Sequence, residues 1–183
     1  MNMREEKKEL RKKVMQRIWK LTEEYKIEAD KKIYENIINL KEYKEANTIF
    51  CFVNTEDEIN TRVIIENALE SGKRVGVPKC IGKGIMEAYE IKGYSSLKNG
   101  KYGILEPKVG CLLVKPEEID FAIIPCVSCN REGYRLGYGG GFYDRYLANT
   151  KFPTAVICRE KILCDYIPHN ETDIKIDKVI TDR

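Results

Sequence analysis

A chain of 183 residues with 43% hydrophobic content suits one compact domain with a single core better than two independent ones. Its 32 basic and 29 acidic residues leave a formal charge of +3, too balanced to argue for wrapping duplex nucleic acid, so an anion site is expected to be local. No apolar run reaches the roughly 18 residues of a membrane span, the amino terminus is charged rather than signal-like, and the seven irregularly spaced cysteines read as reduced thiols; the expectation is a cytoplasmic protein with neither membrane nor nucleic-acid partners.

In chain order, a charged helix is predicted over 4–21, where Leu10, Val14, Ile18 and Leu21 recur at helical spacing. Lys7 and Arg11 sit one turn apart, Lys7 within the apolar sector and Arg11 at its edge, while Lys8 and Lys12 point further away. A second helix is predicted over 30–40. The aromatic and β-branched run 48–53 reads as a buried strand, closed by the polar stretch 54–60. Thr61 can cap a helix through about 71, Gly72 ends it, and 74–78 resumes extended structure. Further strands are expected over 85–91, 119–124 and 154–158, with a last short one over 178–181. Strands alternating with helices point to a parallel α/β domain spanning 1–183.

His169 is the only histidine, which removes histidine-rich metal sites and two-histidine acid–base schemes. Cys126 and Cys129 form a C-x-x-C with no second ligand pair in view, and they read as small buried thiols. The most informative stretch is Arg135-Leu136-Gly137-Tyr138-Gly139-Gly140-Gly141-Phe142-Tyr143-Asp144-Arg145-Tyr146-Leu147. Glycines there let the backbone approach a ligand closely, so that consecutive amides point at phosphate oxygens at the start of a helix. Neither common phosphate loop fits. Phe142 stands where a dinucleotide fingerprint needs its last glycine, and no lysine follows the cluster before Lys151.

This stretch is similar to the signature of the 5-formyltetrahydrofolate cyclo-ligase family. Four other segments agree in order: Lys7-Lys8-Glu9-Leu10-Arg11, Asp57-Glu58-Ile59-Asn60-Thr61, Gly103-Ile104-Leu105-Glu106-Pro107, and Ile167-Pro168-His169 followed by Asp173-Ile174-Lys175-Ile176-Asp177. Two departures stand out. Cys126, Ser128 and Cys129 replace the small residues and Ala-Phe pair usual after Pro125, and Phe142 replaces a common tyrosine, removing a hydroxyl.

The resemblance implies a single Rossmann-like α/β domain with a mostly parallel central sheet flanked by helices (NagB/RpiA/CoA-transferase-like). It also implies a monomeric ligase of folate and one-carbon metabolism. The implied reaction is the ATP- and Mg2+-dependent cyclisation of 5-formyltetrahydrofolate to 5,10-methenyltetrahydrofolate with release of ADP and phosphate. The formyl oxygen is phosphorylated and the neighbouring folate nitrogen attacks, with no protein nucleophile. By the same resemblance ATP is held by Lys7, Lys8, Glu9, Leu10 and Arg11 of the first helix, and by Arg135, Leu136, Gly137, Tyr138, Gly139, Gly140, Gly141, Phe142 and Tyr143. Lys7 and Arg135 stabilise charge in catalysis. Folate meets Val53, Glu58, Tyr138, Gly139, Gly140, Gly141 and Phe142, and Asp144 with Asp173 holds magnesium. His169 is expected to be a loop histidine and Asp177 a local cap. A nucleotide- or folate-binding protein without turnover, and a sugar-phosphate isomerase of similar fold, stay open as alternatives.

Overall fold

Asn2 starts the first helix: its side chain accepts from the Glu5 amide at 3.0 Å, and Glu5 returns a bond to the Asn2 amide at 3.1 Å. This reciprocal cap opens α1 (Met3–Trp19) in a computed structural model that describes residues 2–100 and 103–183. The second helix, α2 (Glu23–Asn39), begins well before the expected position 30, because Thr22 accepts from the Tyr25 amide at 3.2 Å and Glu23 and Glu24 fill the first turn. A short α3 (Lys41–Glu45) follows, spanning too few residues for periodicity to announce it.

The strands are β1 (Thr48–Cys51), β2 (Arg74–Gly82), β3 (Ile85–Ile91), β4 (Leu97–Asn99), β5 (Leu105–Pro107), β6 (Leu113–Val114), β7 (Phe121–Ile124), β8 (Ser128–Cys129), β9 (Arg135–Leu136), β10 (Thr154–Ile157) and β11 (Lys178–Ile180). Between them come α4 (Arg62–Glu70), after β1, and α5 (Phe142–Leu147), after β9. Seven strands form the main sheet in the order β11-β10-β7-β1-β2-β3-β6. The pairings from β11 across to β2 are parallel, and β3 and β6 complete one edge antiparallel. The antiparallel turn comes from Lys83-Gly84, where Gly84 takes φ +71°. Strand β2 runs on through Pro78, which is tolerated because pairing with β1 ends at Gly76. The small ribbons β4–β5 and β8–β9 stand apart from this sheet.

Every side chain of β1, β7 and β10 is buried, as strands covered on both faces require. Alternation divides the core. Ile49 and Cys51 pack with Ile33 and Ile37 of α2 and Ile64, Ile65 and Ala68 of α4, whereas Phe50, Ala122 and Ile124 pack with Val14 and Ile18 of α1 and Leu147 of α5. Among the described residues no helix is long and apolar enough to cross a membrane. Strand β1 has β2 on one side and β7 on the other, so the chain leaves the centre of the sheet in opposite directions. At such a switch point a crevice opens beyond the carboxyl ends of the strands.

Candidate active site

The crevice is present. Phe52, Thr55, Asp57 and Glu58 after β1, Cys126 and Val127 after β7, and Cys158 and Arg159 after β10 line it, with Met15 and Ile18 of α1 along one side. Its free volume is about 80 Å³. The Glu58 carboxylate accepts from the Thr55 amide at 2.7 Å, the Thr55 hydroxyl at 3.0 Å and, across the opening, the Tyr138 hydroxyl at 3.0 Å. Glu58 and Tyr138 thus meet across the opening. Val53, expected in the same pocket, and its neighbour Phe52 are both buried at 4% exposure in one core cluster, and of the two it is Phe52 that lines the crevice.

The loop carrying Glu58 is held from below by Arg159, which is only 3% exposed. Its guanidinium pairs with both oxygens of Asp30 at 2.8 and 3.0 Å, and donates to the Asp57 and Glu58 carbonyls at 3.2 Å each. Sequence reasoning missed Arg159 and Asp30. Arg159 had a signal, since it lies just past a central strand; Asp30, in mid-helix, had none.

The glycine turn joins β9 to α5. Gly139 and Gly141 take φ of +99° and +68°, conformations that an L side chain adopts only with strain. Two guanidinium groups take up its carbonyls: Arg11 donates to Gly137 at 2.7 Å, and Arg145 donates to Gly140 at 2.8 Å and to Gly84 at 3.2 Å. Burial lowers the pKa of Arg11 from its ordinary value, and it still carries its charge at neutral pH. Among the described residues the backbone amides from Tyr138 through Asp144 have no protein acceptor. A turn whose carbonyls are occupied by cations and whose amides are unused presents donors to an anion.

Lys7 reaches the same region, bonding Asp173 at 2.6 Å. The tail folds back here, because the Ile174 amide donates to Asp144 at 3.0 Å. The two aspartates expected at a metal therefore belong to one network with Lys7. Leu10 packs into the core below, while Lys8 and Glu9 lie on the exposed side of α1. Arg135 differs from a free groove cation. It is buried beneath the turn, donates to Asp144 at 2.8 Å, and leaves its Nε without a partner. Leu136 is buried in the core. The Tyr143 phenol is pushed well above its ordinary pKa by burial and then by the Glu58 carboxylate, so it stays protonated. Phe142 turns away from the crevice into a separate hollow with Gly84, Met86, Arg145 and Tyr146. His169 is a loop residue stacked on Tyr134, and Asp177 caps the start of β10 through Thr154 at 2.8 Å.

A probable 5-formyltetrahydrofolate cyclo-ligase of Schizosaccharomyces pombe is 31% identical over 166 residues, covering 81% of each chain. The 5-formyltetrahydrofolate cyclo-ligase of Escherichia coli K12 is 30% identical over 174 residues, covering 92% of this chain and 96% of that one. The solved structure of the Aquifex aeolicus 5,10-methenyltetrahydrofolate synthetase matches with a TM-score of 0.84 at 31% identity, over 97% of this chain and 90% of that one. The sequence profile of the 5-formyltetrahydrofolate cyclo-ligase family runs from residue 3 to residue 182 and takes in the first helix, the glycine turn and the returning tail alike. The chain belongs to the 5-formyltetrahydrofolate cyclo-ligase family.

Proposed function

We propose that this chain closes 5-formyltetrahydrofolate to 5,10-methenyltetrahydrofolate at the expense of ATP, releasing ADP and phosphate. The observation that carries the reading is the run of unused amides from Tyr138 to Asp144, flanked by Arg11 and Arg145 and joined to the crevice by Tyr138. In this reading the turn holds the phosphates and the crevice holds the pterin. The formyl oxygen attacks the terminal phosphorus and ADP leaves. The neighbouring folate nitrogen then attacks the formyl carbon, phosphate departs with the former formyl oxygen, and the nitrogen loses its proton. Holding the reactants in line and neutralising charge are sufficient for this chemistry.

Lys7 and Arg11 bring cationic charge to the phosphates, with Lys7 exchanging Asp173 for a phosphate oxygen. Buried Arg135 acts through Asp144, fixing its position from beneath. The oxygens of these aspartates suit magnesium. One oxygen of Asp144 is held by Arg135 and Ile174 and the other has no protein donor among the described residues, while Asp173 is engaged by Lys7 and Asn170. That set fits an ion bound largely by phosphates and water, with Asp144 as its main protein ligand and Asp173 joining when Lys7 is drawn away. When bound, the ion supplies neutralisation of the phosphate oxygens.

The free crevice volume, about 80 Å³, is small for a pterin, so folate entry has to part Tyr138 from Glu58. Incubation with ATP, Mg2+ and 5-formyltetrahydrofolate is expected to generate the near-ultraviolet absorbance of the methenyl product with one ADP per turnover. Binding of both compounds without ADP release would show a binding protein instead, and absence of binding would overturn the reading.

A further inference from the structure

The C-x-x-C that departs from the family pattern acquires a third sulfur in three dimensions. Strands β7 and β10 are parallel neighbours, with Ile123 opposite Ala155 and Ile124 opposite Val156, so their carboxyl ends deliver Cys126 and Cys158 side by side. Strand β8 then brings in Cys129. The three sulfurs lie within 4.8 Å of one another, and among the described residues no other set of three or more His, Cys, Asp or Glu side chains is gathered so closely. None of the three is in a disulfide.

We propose that Cys126, Cys129 and Cys158 form a binding site for a thiophilic metal ion of the zinc or cadmium class. Tetrahedral thiolate ligation at about 2.3 Å places sulfurs about 3.8 Å apart, so closing the trio takes movements of no more than about an ångström. Cys129 and Cys158 are buried, and Cys126 is half-buried. Cys126 and Cys158 also line the crevice, which gives an ion a way in and leaves the fourth coordination position facing that space. Uptake of the ion sends the protons of the bound thiols to solvent. The site is separate from the Asp144 and Asp173 oxygens, which suit a hard cation instead. Cys164 lies close by, its sulfur accepting from the Ser128 hydroxyl at 3.2 Å, but it is not one of the three.

The test uses the full chain, reduced and metal-free, titrated with Cd2+ and then challenged with Zn2+. One Cd2+ per chain is expected, with sulfur-to-cadmium charge-transfer absorption that only a large excess of Zn2+ diminishes, and a rise in the thermal midpoint from binding to the folded state. Cys126→Ser should weaken Cd2+ by more than the roughly 10–100-fold typical of losing an outer-shell partner, while Cys111→Ser leaves the affinity unchanged. If Cys126→Ser fails to fold, alkylation of the unmodified chain with and without Cd2+ decides the matter by mass spectrometry: protection at 126, 129 and 158 supports the site, and protection elsewhere overturns it. No charge-transfer band, a band that survives Cys126→Ser, or a disulfide within the trio in a reduced chain that takes up no metal would each overturn it. These readouts are independent of folate turnover.

Discussion

At Gly139 the backbone φ is +99°, and a Cβ there would lie 3.4 Å from the Arg11 guanidinium carbon. Space is adequate, so the cost of a side chain is conformational, about 1–2 kcal/mol. Gly139→Ala is therefore expected to weaken ATP roughly tenfold, since about 1.4 kcal/mol is a factor of ten, with the folate affinity little changed; calorimetric titration of each ligand checks this. Gly140 differs, because its Cβ would stand 2.7 Å from the Phe142 ring, and Gly140→Val should displace that ring. For Arg135 the expected loss is twofold in kind. Arg135→Ala should lower kcat by roughly 10–100-fold, as losing the partner that positions a metal-binding carboxylate does. It should also lower the thermal midpoint, because the change leaves Asp144 unpaired under the turn. Normal turnover in a folded variant would remove Arg135 from the mechanism. The sequence pointed to Lys7, Arg11, Glu58 and Tyr138 because motif spacing survives folding. It gave no hint that Arg135 and Val53 are both buried, since that depends on the elements packed around them in space rather than on motif spacing.

Among the elements, the loop after β1 owes its position to α2 and to the end of β10 through the Asp30–Arg159 pair. Arg159→Ala breaks a buried pair and should cost about 3–5 kcal/mol, read by denaturant titration, with a higher KM for folate in the protein that remains folded. The antiparallel edge has its own electrostatic tie. Glu90 on β3 is 7% exposed and its pKa is lowered from the ordinary 4.5 by Lys92 and then by Arg74, which also bridges to Glu118. A depressed carboxylate contributes stability that is fully present above 4.5 and is lost as pH falls through the lower folded value. Thermal midpoints measured from pH 6 downward should accordingly fall less steeply in Glu90→Gln than in the parent. Element types were legible from periodicity, and several ends were not. The start of α2 was missed because the Thr22 cap precedes its apolar stripe, which begins with Ala29 and Ile33. Strand β2 outran its prediction because Pro78 reads as a stop unless the partner strand is known to end first.

Across the whole molecule, the first helix and the returning tail meet over one turn, Lys7 bonding a residue 166 positions away. Adding a non-hydrolysable ATP analogue should slow amide exchange in α1, in the glycine turn and in 170–174 together; protection confined to the turn alone would separate the tail from the nucleotide. The parallel α/β architecture could be read from the order of strands and helices, but the place of the crevice could not, because it follows from strand order in space rather than along the chain. The third cysteine was hidden for the same reason, lying far from the C-x-x-C until β7 and β10 pair. One contact has a thermodynamic corollary for the pair of substrates. Tyr138, flanked by Gly137 and Gly139, rests on Glu58, so the backbone that wraps one guest also carries the phenol that bars the other. Each guest's dissociation constant then depends on whether its companion is already seated, and the two ratios must be equal.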